Sequence, residues 1–131
     1  VSAASIVAAV GLSGCGGEAT AQQNIEYADE KFGKACLDLR VATDAEARGL
    51  EGVYLLFLEA AEVSASTAAE YAEIASAQSG DRLVGGRASA YRSAANGLTL
   101  AVTGERASKP AGQQQAVAVC DVYYPAPVDG R

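Results

Sequence analysis

Apolar residues recur every three or four positions through most of this chain. From Gln22 to Ala42, Ile25, Ala28, Phe32, Ala35/Cys36 and Leu39 share one helix face, and Glu26, Asp29, Glu30, Lys31 and Lys34 mostly lie off it. Thr43 followed by Glu46 fits a capping box, with Asp44 suited to a first turn, so a second helix is expected from there to about Gln78. Its stripe runs Leu50, Val53/Tyr54, Phe57, Ala61, Ser64/Ala65, Ala68, Ala72 and Ala75, with Glu51, Glu59, Glu62, Glu70 and Glu73 on the other side. The stripe shrinks from Leu and Phe to Ala, so its far end should pack closely on a neighbour. Gly49 and Gly52 weaken its start by about 1 kcal/mol each relative to Ala.

Ser79-Gly80-Asp81 stops this helix and starts another. Val84, Ala88, Tyr91, Ala95, Leu98 and Val102 then repeat at helical spacing. Gly85-Gly86 is expected to delay this third helix and Asn96-Gly97 to end it early. Leu98 to Thr103 also alternates with the period of a strand. Gly104 to Gly112, containing Lys109-Pro110, reads as a loop. In Gln113 to Tyr124, Val117, Cys120 and Tyr124 fit a helix face, while the Val and Tyr content favours a strand. Two late strands would make a hairpin and an α+β domain; a lone hairpin with few aromatics is weakly stable. The expected fold is therefore all-α: an up-and-down antiparallel four-helix bundle over residues 24–125, with a frayed tail at 126–131 after Pro125.

Ahead of the bundle, Ala3 to Leu12 is an uncharged apolar run, followed by Ser13-Gly14-Cys15. The run is too short to cross a bilayer, which takes about 20 apolar residues, and fits the h-region of an export signal. Leu12-Ser13-Gly14-Cys15 resembles the lipobox of bacterial lipoproteins: a Leu, two small residues and a Cys. The resemblance covers residues 1–17 only. It implies that residues 1–14 are a signal peptide, that Cys15 carries a diacylglycerol and becomes the first mature residue, and that 15–23 form a tether. No Lys or Arg precedes Cys15 and the chain contains no Met, so the charged n-region is expected upstream of Val1.

With Cys15 taken by lipid, Cys36 and Cys120 remain, and one pairing is possible. An exported chain meets an oxidising compartment, where such a pair forms a disulfide. The alternative is two unpaired buried thiols. Sixteen acidic against ten basic side chains give a net charge of −6. Nucleic acid and anionic lipid surfaces both reward positive charge and are set aside as main partners.

There is no His, which removes Ser-His-Asp and Cys-His catalysis in their usual forms and the Glu-x-x-His metal motif. No phosphate-binding glycine motif is present. Two thiolates alone do not complete a zinc site. Glu59/Glu62 and Glu70/Glu73 are adjacent carboxylate pairs that read as a solvated helix face. Arg82, Arg87 and Arg92 fan around their helix instead of converging, and are expected to pair with glutamates of the preceding helix. Candidate ligand or partner contacts are Tyr91, Arg92, Tyr123 and Tyr124, with packing against the bundle as the other fate of the last two. The expectation is a binding module, not an enzyme, with no cofactor and no metal. It sits lipid-anchored on the extracytoplasmic face of a cell membrane, and its partner is an envelope protein or a second copy. The alternative is a small-molecule carrier or sensor with a pocket lined by Leu55, Leu56, Phe57, Tyr71 and Tyr91.

Overall fold

The computed structural model of the protein describes residues 19–126. They form four helices: α1 (Ala21–Ala47), α2 (Glu51–Ser79), α3 (Arg82–Thr103) and α4 (Lys109–Tyr123). Each packs chiefly on the next in an up-and-down bundle, and α1 and α4 meet only sparsely. Among the described residues there is no strand, so the late segments are helical and the hairpin alternative fails. Cys36 and Cys120 are bonded, with Cα atoms 5.6 Å apart. Cys15 and the signal and tether residues through 18 lie outside the described residues, as does the tail from 127 on.

Several helix boundaries differ from the expected ones, beginning with the two at either end of α1. The capping box belongs to Thr20 and Gln23, inside the expected tether. The Gln23 amide donates to Thr20 Oγ1 at 3.1 Å, and the Thr20 amide donates to Gln23 Oε1 at 2.8 Å. Thr43, expected to open the second helix, lies within α1, and its hydroxyl donates to the Leu39 carbonyl at 2.9 Å. Nothing in the backbone stops α1 until Gly49, which adopts φ 77°. There the Leu50 and Gly49 amides close onto the carbonyls of Ala45 and Glu46 at 2.9 and 3.0 Å, a Schellman ending that needs a left-handed residue. The Ser79-Gly80-Asp81 junction is as expected, and Asp81 caps α3 by accepting the Leu83 amide at 2.8 Å.

Helix α3 runs through Gly85-Gly86 and Asn96-Gly97 without delay or early end, and α4 starts at Lys109, inside the expected Gly104–Gly112 loop, with its proline in the first turn where a missing N–H is tolerated. Gly97 does not end α3 because it faces Gly112 of α4. A Cβ at Gly97 would lie 2.5 Å from the Gly112 carbonyl oxygen, and one at Gly112 would strike the Gly97 carbonyl oxygen. A mid-helix glycine costs about 1 kcal/mol relative to Ala, and here it permits backbone-to-backbone approach.

The core is built largely of alanine. Ala61, Ala65, Ala68, Ala72 and Ala75 of α2 are all fully buried, as are Ala28, Ala42 and Ala94. The largest fully buried side chains are Tyr91, Phe32, Leu39, Leu58 and Leu98. The close packing expected at the far end of α2 is present. At its near end the phase differs: Leu58 is buried, whereas Leu50 and Val53 are exposed. Leu50 belongs to the turn, so the buried face of α2 is set by Leu58 and the alanines that follow it.

Candidate functional site

The polar and aromatic chemistry gathers around Asp29 of α1. One carboxylate oxygen accepts the Tyr91 hydroxyl at 2.6 Å, and the other accepts Arg87 Nη1 at 2.7 Å. Its backbone carbonyl accepts the Tyr124 hydroxyl at 2.7 Å. The Tyr91 ring stacks on Phe32 at a centroid distance of 4.1 Å, and Tyr123 meets Tyr91 edge-on at 5.7 Å. Tyr124 covers Gly33, where a Cβ would come within 3.3 Å of its ring, and Arg40 donates to its backbone carbonyl. Helix α3, the last turn of α4 and the residue after it thus converge on one side of α1.

Of the residues singled out in the sequence, Tyr91, Tyr123 and Tyr124 come together here. Tyr91 is only 1% exposed, so it presents nothing to a ligand, while Tyr123 keeps 38% of its surface. Arg92 is elsewhere, forming a fork with Glu73 at 2.9 and 2.8 Å across α2 and α3. That inter-helix pairing with a glutamate is as expected; Arg87 instead reaches an aspartate on α1. Asp29, Phe32, Gly33 and Arg40 were not anticipated as parts of this cluster. Asp29 stands three residues before Phe32 and seven before Cys36, a spacing that places it at the edge of the buried face and was the available signal.

The five residues expected to line an inter-helix pocket do not face one place among the described residues. Leu55 and Leu56 are exposed while Tyr91 is in the core. Open grooves lie instead along the α1–α4 seam. One of about 660 Å³ includes Glu46, Tyr54, Arg106, Lys109 and Gln113, and one of about 400 Å³ reaches the disulfide. They share Thr43, Val117 and Asp121. Across the larger groove the Tyr54 hydroxyl donates to Gln113 at 2.7 Å, and Gln113 donates to Glu46 at 3.2 Å. The carboxylate pairs are divided between tasks: Glu62 accepts from Thr99 and Glu73 from Arg92. Among the described residues no three His, Cys, Asp or Glu side chains cluster as metal ligands would.

Burial pushes the Tyr91 phenol well above its ordinary value of 10.0, and its hydrogen bond to Asp29 and the Asp29 charge add to the shift. Tyr124 is raised by burial first and then by the Asp29 charge; Tyr54 and Tyr71 are raised chiefly by burial. The phenols therefore serve as neutral hydrogen-bond donors, and the cluster is a clasp fastening the end of α4 to α1. A raised phenol keeps its proton in the folded state when the unfolded chain has lost it. Its contribution to stability is complete below about pH 10 and is lost as pH rises beyond that. In an alkaline titration, the tyrosinate absorbance of the buried phenols, Tyr91 above all, should rise in a late, cooperative step coincident with loss of helix. A complete rise of the tyrosinate signal, Tyr91 included, with the helices still intact would contradict this.

Among the described residues, no helix is long and apolar enough to cross a membrane. Comparison with protein-family models, curated proteins and solved structures returns no match.

Proposed function

We propose that the chain is an exported helical lipoprotein of the bacterial cell envelope, fastened by lipid on Cys15, whose task is to bind a protein partner. The observation that carries this reading is the Cys36–Cys120 bond, which closes a separation of 84 residues. Such bonds persist in the oxidising compartments that an exported chain enters. Thr20, which caps α1, stands five positions after Cys15, so a lipid on that cysteine would hold the foot of α1 within about 18 Å of the membrane surface. Binding is preferred to catalysis because the polar groups of the Asp29 cluster satisfy one another, while large apolar side chains remain exposed on α2.

The small-molecule carrier is the second reading, favoured by the groove of about 660 Å³ between α1 and α4, a size in the range of ligand sites. The deciding experiment is the intact mass of the protein recovered from bacterial membranes. The chain is expressed behind a start Met and a basic n-region, with Cys15→Ala as control. The expected product begins at Cys15, carries a diacylglycerol and is two hydrogens short of the dithiol mass. An unprocessed, unacylated chain with three free thiols would overturn the export reading.

A further inference from the structure

Helix α2 carries two apolar seams, and the bundle uses one of them. The inner seam, Ala61, Ala65, Ala68, Ala72 and Ala75, alternates steps of four and three and is wholly buried. A second row, Val53, Leu56, Ala60, Val63 and Thr67, alternates steps of three and four and lies about 120° around the helix from the first. Leu56 is 63% and Val63 65% exposed; Val53 is exposed, and Ala60 and Thr67 are partly so. A single exposed leucine is ordinary on a protein surface. A row at heptad spacing on a rigid helix of 29 residues is the pattern that receives another helix, each apolar knob seated between residues of the facing one.

Charge selects the occupant. Glu59 and Glu70 border the row, and both are exposed. The four ion pairs among the described residues, Lys34–Asp38, Arg48–Asp44, Arg87–Asp29 and Arg92–Glu73, involve neither of them. A second copy seated on this seam would set the same carboxylates near one another on a chain already carrying −6, which is unfavourable. We propose that the outer seam of α2 binds one amphipathic helix of a partner protein, with apolar residues in heptad spacing and Lys or Arg at the flanking positions. The seam from Val53 to Thr67 rises about 21 Å, so the partner helix needs about four turns. This inference deepens the binding half of the function proposed above and does not depend on Cys15.

The test uses the full chain with its disulfide intact and two synthetic helical peptides of about three heptads, both with Leu at the seam positions. One carries Lys at the flanking positions and the other Glu. Fluorescence anisotropy should show the Lys peptide binding, weakening as salt rises, and the Glu peptide binding more weakly by about tenfold or more. The double variant Leu56→Ser/Val63→Ser should lose about tenfold or more in affinity. Leu83→Ser removes a 79% exposed leucine elsewhere and should change nothing. Glu59→Gln/Glu70→Gln leaves the apolar row intact and should reduce both affinity and salt dependence. Equal binding of the two peptides, or failure of the Lys peptide to bind, overturns the proposal. Binding that survives Leu56→Ser/Val63→Ser overturns the seam while leaving a binding function elsewhere on the bundle. A dimer in sedimentation that the same double variant dissolves would assign the seam to a second copy and overturn the basic partner. The membrane-mass experiment decides the anchor separately from all of these.

Discussion

Replacing Cys36 and Cys120 with alanine, or reducing the bond, is expected to lower the unfolding free energy by about 4–5 kcal/mol, from the loop-closure entropy of the unfolded chain. The size follows from the separation of 84 residues between the cysteines. The bond matters unusually here for two further reasons. The core is mostly alanine, and each alanine contributes a single methyl group where leucine or phenylalanine would bury several carbons. Helices α1 and α4 also share little other packing. For a domain of about this size the loss corresponds to a fall of roughly 20–30 °C in midpoint. Thermal unfolding followed by circular dichroism, with and without reductant, measures it. A change below about 1 kcal/mol would mean that the unfolded chain stays compact without the bond, and the entropic account would then fail.

Tyr91→Ala is expected to destabilise by about 3–5 kcal/mol, the range for deleting a large buried aromatic. Its ring stacks on Phe32 at 4.1 Å, and its hydroxyl serves Asp29 at 2.6 Å. Tyr91→Phe keeps the ring and removes the donor. It should cost about 1–3 kcal/mol, because the carboxylate oxygen loses a bond that water reaches poorly. Arg92→Ala, by contrast, breaks an accessible pair with Glu73 and should change stability by no more than about 1 kcal/mol. Urea unfolding of the three variants separates these effects. If Tyr91→Ala proved as mild as Arg92→Ala, the residue would not be the core support described here, and a ligand-facing role would regain ground.

The fold was legible where periodicity was long. The faces of α1 and α3 and the alanine stretch of α2 all follow from residues three and four apart, and the Ser79-Gly80-Asp81 junction from its own chemistry. Boundaries were harder because two threonines compete for the same role. Thr20 with Gln23 and Thr43 with Glu46 both look like capping boxes, and local sequence cannot show that α1 continues past the second. Gly97 reads as a helix breaker when viewed alone. Its function depends on Gly112, fifteen residues further on in the next helix. The Asp29 cluster has the same character. Tyr91 and Tyr124 stand out as aromatic, but their convergence on one residue, Asp29, is a product of three helices docking, and no short window contains it. The outer seam of α2 was not legible in the sequence, where Val53 reads as part of the inner stripe and Leu56 as the lining of a pocket. That both remain exposed is settled only by the phase that Leu58 imposes.

The covalent topology also fixes how the molecule carries load. A pull between the two ends of the chain passes along α1 to Cys36, crosses the sulfur–sulfur bond to Cys120 and leaves through the last turn of α4. Everything between the two cysteines hangs off that path as a slack loop, so α2, α3 and most of α4 bear no direct tension while the bond holds. Stretching the protein can therefore unravel only the segments outside the loop. The region bearing the apolar seam of α2 keeps its shape under strain that would unwind an unbridged bundle.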